Sequence, residues 1–187
     1  CDTQYGYKKG HSTETLLLHF FNNLLVAVDQ RLGVVVLMID LSAAFDTVDH
    51  TKLLNILSNE IGLKGIALNW FKSFLIGRSQ RVNVDGCFSE PLYLKYGVPQ
   101  GSVLGPILFN IYTRSLGRVF SSCGFTSSGY ADDNSGSCAF ATTFQYDILI
   151  KLIPVLISNL KSWMDDHFLK LNESKTEIIV FGNPAFR

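Results

Sequence analysis

Val34-Val35-Val36-Leu37-Met38-Ile39-Asp40 is the stretch on which the fold turns. Six apolar residues in succession, four of them β-branched, show no alternation and stop short of helix length. They read as a strand covered on both faces. The run ends on a carboxylate, and an ionised group at the end of a core strand is costly unless hydrogen-bond donors or a cation satisfy it. Taken alone, Asp40 is also compatible with capping the element that follows.

Upstream, Ser12 and Thr13 cap a helix predicted to reach about Gln30, with Leu16, Phe20, Leu24 and Val28 along one face and Gly33 after its end. Downstream, helical patterns cover about 51–60 and 64–76, punctuated by Gly62 and Gly77. Residues 80–85 and 91–97 read as strands of a hairpin across Gly86. Ser102 caps a helix expected to run to about Val119 despite Pro106. Phe125–Ala131 and Ser135–Phe140 read as strands flanking a tight turn at Asp132 and Asp133. A long helix is expected over 143–168, bent at Pro154, and Thr176–Phe181 supplies a last strand. Strands and helices do not alternate as βαβ units. The expected class is therefore α+β, an antiparallel sheet covered by helices on one face.

The 187 residues are 47% hydrophobic, enough for one sizeable core. Sixteen basic and sixteen acidic residues cancel, so charge alone does not point to nucleic acid. Cys1, Cys87, Cys123 and Cys138 form neither CxxC pairs nor a zinc-spaced cluster, and a reducing, intracellular setting is the expectation. No apolar run approaches the length that spans a bilayer. The chain opens Cys-Asp rather than Met, as a piece of a longer polypeptide would. His11, His19, His50 and His167 stand apart, without metal-ligand spacing.

Asp132 and Asp133 sit side by side after Tyr130-Ala131, with no Lys or Arg within several residues to neutralise them. The dipeptide alone is compatible with a solvated turn. If the hairpin lies beside the strand ending at Asp40, three carboxylates converge, and such a set calls for a hard divalent cation with oxygen ligands. Two such metals stabilise the attacking and leaving oxygens of an in-line phosphoryl displacement.

These segments carry a family resemblance. Asp40-Leu41-Ser42-Ala43-Ala44-Phe45-Asp46, Gly97-Val98-Pro99-Gln100-Gly101-Ser102 and Tyr130-Ala131-Asp132-Asp133 resemble motifs A, B and C of reverse transcriptases, in the family's order. Gln4-Tyr5-Gly6-Tyr7 through His11-Ser12-Thr13 is similar to the segment before motif A in the non-LTR, LINE-type branch. Leu169-Lys170-Leu171-Asn172 to Lys175-Thr176-Glu177 is similar to motif D. After the turn the chain reads Asn134-Ser135-Gly136, where many relatives continue with Thr-Gln, which puts the fit of the second hairpin strand in question.

The resemblance implies a polymerase palm with part of the fingers, residues 1–187 forming a partial reverse transcriptase domain. Basic fingers residues would lie upstream, with primer grip and thumb downstream. The chain by itself is expected to fold but to extend primers weakly. Asp40 and Asp132 would ligate two Mg²⁺ ions, replaceable by Mn²⁺, with Asp133 in support. Lys175 would act at the leaving pyrophosphate, while Leu41, Phe45, Gln100 and Gly101 would meet the substrate. Phe45 would crowd a ribose 2′-hydroxyl, and a residue without Cβ at Gly101 permits close backbone approach to a ligand. The implied partners are an RNA template, a DNA primer and dNTPs, and target-primed synthesis would take place in the nucleus. Two other readings share the motifs: the palm of an RNA-dependent RNA polymerase, against which Phe45 argues, and a noncatalytic remnant of a decayed element.

Overall fold

The computed structural model describes residues 3–141, 143 and 147–182, and the chain divides into two compact units. The first contains residues 1–42 and 113–187, the second Ala43–Tyr112.

The first unit is built on the apolar run. Strand β1 (Leu32–Ile39) lies inside a four-stranded antiparallel sheet of order β6-β7-β1-β8, with β6 at Thr126–Tyr130, β7 at Asp133–Ala141 and β8 at Glu177–Phe181. Helix α1 (Thr13–Asp29) starts on a reciprocal cap: Ser12 Oγ accepts the Thr15 N–H at 3.2 Å, and Thr15 Oγ1 accepts the Ser12 N–H at 2.8 Å. Its residues Phe20, Leu24 and Ala27 pack on Val34 and Val36. Val28, expected on that face, is 39% exposed, because the buried stripe turns toward Ala27.

The opposite face of the sheet is covered as well. Leu37 stands opposite Gly136 in the β1–β7 register, and the ring of Phe120 occupies the space above that glycine. Phe120 belongs to α5 (Leu116–Ser122), which packs on β6 and on α6 (Ile153–Asp166). The expectation of helices on one face therefore does not hold. Val35 and Leu37, fully buried, need cover as much as Val34 and Val36 do, and a strand apolar on both sides requires a layer on each.

Helix α6 and the helical turns before it make up most of the long helix expected over 143–168. Ile148–Leu152 form a π-helical segment that runs without a break into α6, with Leu152 and Ile153 both in helical conformation, and Pro154 follows directly on these wider turns, which accommodate its missing N–H. Residues 144–146 of the expected span lie outside the described residues. Among the described residues no helix is long and apolar enough to cross a membrane.

The second unit holds α2 (His50–Asn59), α3 (Gly65–Leu75) and α4 (Leu104–Tyr112) with a small hairpin. Asp49 caps α2 by accepting the Lys52 N–H at 2.6 Å. The hairpin turns at Asp85-Gly86, both at positive φ, but its returning arm is 87–93 rather than 91–97. Four short strands make it: β2 (Ser79–Gln80) pairs with β5 (Leu92–Tyr93), and β3 (Asn83–Val84) with β4 (Cys87–Phe88). A two-residue turn fixes the register, so the strands must be counted outward from Gly86. The helix expected from Ser102 to Val119 is two helices: α4 stops at Tyr112 and α5 starts at Leu116. Ser102 still caps α4, its Oγ accepting the Gly105 N–H at 3.0 Å, and Pro106 falls in the first turn.

Candidate active site

In the first unit the β1–β7 register places one carboxylate beside another. One step past the pair Ile39↔Asn134, Asp40 comes level with Asp133. Alternate residues of a strand share a face, so Val34, Val36, Met38 and Asp40 look the same way. Helix α1 covers the first two and leaves Met38 45% exposed. Where that cover stops, a cleft of about 540 Å³ opens, lined by Asp40, Asp133, Met38, Tyr130, Ser135, Lys175 and Glu177, with Leu16 of α1 at its wall.

The segment before β8 closes on Asp40 from the other side. Leu41 bridges Leu171, the Ser42 N–H donates to the Lys170 carbonyl at 2.9 Å, and the Asn172 N–H donates to the Asp40 carbonyl at 2.9 Å. Asn172 Nδ2 donates to Asp40 Oδ2 at 2.9 Å, and Lys175 Nζ stands 3.8 Å from the same oxygen. Leu41, a candidate substrate contact, is 5% exposed, so its side chain serves the core.

The hairpin tip is tighter than the sequence suggests. Tyr130 pairs with Asp133, so the turn residues are Ala131 and Asp132, and Asp133 is already in β7. The Asn134 side chain donates to the Asp132 carbonyl at 2.9 Å across the turn. Partial desolvation raises the carboxyl of Asp133, an exposed residue, above its ordinary pKa of 3.8; the nearby charges of Asp132 and Asp40 raise it further, and Lys175 opposes them. Of the three expected carboxylates, Asp40 and Asp133 share the cleft, while Asp132 stands at the turn and outside its lining. Among the described residues no three His, Cys, Asp or Glu side chains form a set that would hold a metal by themselves. The pleat explains the difference, since it gives Asp133 the face of Asp40 and leaves Asp132 to the turn. The Asn134-Ser135-Gly136 sequence does not disturb the second strand, because Gly136 makes the room that Phe120 fills.

In the second unit, the Gly97–Ser102 loop is tied to the chain that follows Ser42. The Gly97 N–H donates to the Val48 carbonyl at 2.8 Å and the Val98 N–H to the Phe45 carbonyl at 2.9 Å. His50, which carried no signal in the sequence, is 6% exposed and its Nε2 lies 2.8 Å from the Gly97 carbonyl. Gln100 Nε2 donates to Asp46 Oδ1 at 2.8 Å. Gly101 has φ of 75° with no protein atom within 4 Å of a built Cβ, so backbone conformation rather than crowding by the protein calls for glycine. Phe45 is half-buried, its ring stacked on Phe109 at 4.5 Å and 23°.

Comparison with known proteins gives these residues a context. The sequence model of the family described as "Reverse transcriptase (RNA-dependent DNA polymerase)" matches residues 1–183. The chain is 34% identical over 115 residues to a probable RNA-directed DNA polymerase from transposon BS of Drosophila melanogaster, covering 62% of this chain and 12% of that protein. It is 35% identical over 117 residues to the RNA-directed DNA polymerase from mobile element jockey of Drosophila funebris, covering 60% of this chain and 12% of that one. The chain thus spans about an eighth of the length of these relatives. Among solved structures, an apo telomerase from Candida tropicalis superposes with a TM-score of 0.72 at 14% identity, over 98% of this chain and 37% of that one. A telomerase from Candida albicans in complex with a telomeric RNA fragment gives 0.68 at 13% identity, over 95% and 32%. At such identities the likeness is one of polymerase fold.

Proposed function

The chain belongs to the reverse transcriptase (RNA-dependent DNA polymerase) family, and from that membership we propose that it is the polymerising palm, with part of the fingers, of a non-LTR retrotransposon RNA-directed DNA polymerase. The transposon polymerases from Drosophila, to which it is similar, support the choice of branch. The reaction is extension of a DNA primer 3′-OH by dNTPs on an RNA template. The observation that carries the reading is the placement of Asp40 level with Asp133 in one open cleft beside Lys175.

The donor set fits divalent cations. Asp133 is disfavoured as an anion partly by the neighbouring charges of Asp132 and Asp40, and a divalent cation would relieve that repulsion. Mg²⁺ needs no closed protein cage, since it keeps waters and takes substrate phosphates as ligands besides one or two carboxylates. Asp40 and Asp132 would ligate it, Asp132 from the turn, with Asp133 in support from the cleft it shares with Asp40. When bound, a pair of Mg²⁺ ions, or Mn²⁺ in their place, supplies charge stabilisation at the attacking and leaving oxygens.

The protein's own groups do the rest. Asn172 fixes the Asp40 carboxylate by donating to Oδ2. Lys175, with its side chain 69% exposed, has the reach to leave Asp40 for a departing pyrophosphate. Gln100 and Gly101 would lie against template and incoming nucleotide, Phe45 would screen the sugar, and any substrate contact from buried Leu41 falls to its backbone.

Primer extension with dNTPs on an RNA template tests the reading. Asp40→Asn or Asp132→Asn in the polypeptide carrying this chain should lower the rate by about 10² to 10⁴. Near-normal extension by Asp40→Asn would sink the assignment.

A further inference from the structure

The N-terminal segment meets the hairpin that carries Asp132 and Asp133. Residues 3–6 run along β6, with Gln4 in a parallel bridge to Gly129. The Gly129 N–H donates to the Thr3 carbonyl at 2.9 Å, and the Tyr5 N–H to the Gly129 carbonyl at 2.8 Å. From that rail the Gln4 side chain reaches the turn. Its Oε1 accepts the Ala131 N–H at 3.0 Å, and its Nε2 donates to the Ala131 carbonyl at 3.1 Å. The same Oε1 accepts the Gly6 N–H at 2.8 Å, which fixes the carboxamide. The approach leaves no slack, since a Cβ on Gly6 would fall 2.3 Å from the Ala131 nitrogen.

Ala131 is an unusual residue to be held this way. It is 6% exposed, so water does not serve its backbone groups, and its φ of 58° is a left-handed conformation that a residue with a Cβ adopts at a cost. Without partners for its N–H and C=O, the turn has little reason to keep that geometry. Rotating the peptides that flank Ala131 would swing the carboxylates that follow.

We propose that Gln4 is a positioning residue of the active site, its carboxamide clamping both backbone polar groups of Ala131 and so setting where Asp132 and Asp133 stand relative to Asp40. This rests on the reading of those carboxylates as the metal-binding site. A neutral amide is suited to such a clamp because it supplies a donor and an acceptor in one plane and adds no charge to compete for a cation or to pair with a carboxylate. A carboxylate in its place would lack the donor, and an ammonium would lack the acceptor.

The test uses Gln4→Met, similar in length but without the amide, and Gln4→Glu, which keeps the acceptor. Two quantities are read on the 187-residue chain: amide exchange at Ala131 by NMR, and Mn²⁺ binding by EPR titration. Gln4→Met should speed Ala131 exchange by about tenfold and weaken Mn²⁺ binding several-fold, while Gln4→Glu restores slow exchange. Packing alone would not produce that pattern, because Met fills a similar space. Asp40→Asn separates the clamp from the site it serves. If it weakens Mn²⁺ binding while Gln4→Met changes neither quantity, the clamp is overturned and the site stands. If Asp40→Asn leaves Mn²⁺ binding untouched, the site reading falls and the clamp's purpose falls with it. Should Gln4→Met not fold, Gln4→Asn, one methylene too short to reach both groups, is subject to the same two outcomes.

Discussion

Asn172 grips Asp40 at both ends: its backbone N–H donates to the Asp40 carbonyl at 2.9 Å and its side-chain amide donates to Oδ2 at 2.9 Å. The first bond holds the strand end and the second holds the carboxylate's rotation. Asn172→Ala keeps the first and removes the second, leaving Oδ2 facing Lys175 at 3.8 Å. Loss of a hydrogen bond to a charged group costs about 1.5 to 3 kcal/mol when buried and less here, where Asp40 is 27% exposed. The expected outcome is a fall of about tenfold in single-turnover primer extension with a small loss in denaturant midpoint. Asn172→Asp, which sets a like charge against Asp40, should fall further. Unchanged extension by both variants would remove Asn172 from the site.

Gly136 offers a test of the sheet's second layer. A Cβ there would lie 2.2 Å from the Phe120 ring, so Gly136→Ala forces strand or ring to shift, and overpacking of this kind costs about 1 to 3 kcal/mol. Phe120→Leu in the same chain should recover part of that loss. A double-mutant cycle on thermal or denaturant unfolding reads the coupling, and additive costs would mean that the two do not share the space.

The elements set by periodicity were legible and those set by distant partners were not. Strand β1 follows from its unbroken apolar run, mostly β-branched, and α1 from the Ser12 cap and the stripe at Leu16, Phe20 and Leu24. The division between α4 and α5 carries no Gly or Pro at residues 113–115, so nothing local announces it. Helices on both faces were already implied by β1, whereas the lack of βαβ alternation bears on connectivity rather than on cover. In the site, the aspartates stand out because paired carboxylates in apolar settings need an explanation. Gln4 and Asn172 do not, because neutral amides have no charge or period to betray them. Their partners Ala131 and Asp40 lie 127 and 132 residues away in sequence.

Tyr112 gives the second unit a signature at alkaline pH. Its ring is fully buried, and its hydroxyl lies 3.4 Å from the Asp49 N–H. Burial pushes the phenol from 10.0 up to about 12, and the Asp49 backbone bond offsets only part of this. Between those values the folded chain keeps a proton that the unfolded chain releases. Stability from this group is therefore fully present below pH 10 and is lost as the pH rises toward 12. Melting temperatures taken across that range should fall more steeply in the wild type than in Tyr112→Phe. Parallel curves would show that the phenol does not titrate differently on folding.

The sugar-screening role proposed for Phe45 separates the two polymerase readings. The ring is stacked on Phe109 at 4.5 Å, and Phe109 is fully buried, so one face of Phe45 is anchored while the residue as a whole remains half-buried. A half-buried ring held in place by a stacked partner can act as a wall, and a wall selects by excluding the larger substrate without extra attraction to the smaller. Phe45→Val leaves an apolar side chain over Phe109 but withdraws the ring. In the polypeptide carrying this chain, kcat/KM for ribonucleotides should then rise at least about tenfold relative to deoxynucleotides, which is about 1.4 kcal/mol of transition-state discrimination. Phe109→Leu, which loosens the anchor and leaves the ring, should relax the preference less. If Phe45→Val folds and ribonucleotide use stays flat, the ring is a packing residue and its loss registers only as stability, about 1 to 3 kcal/mol. A wild type that already favours ribonucleotides would instead transfer the chain's activity to RNA synthesis, with the same carboxylates serving a different sugar.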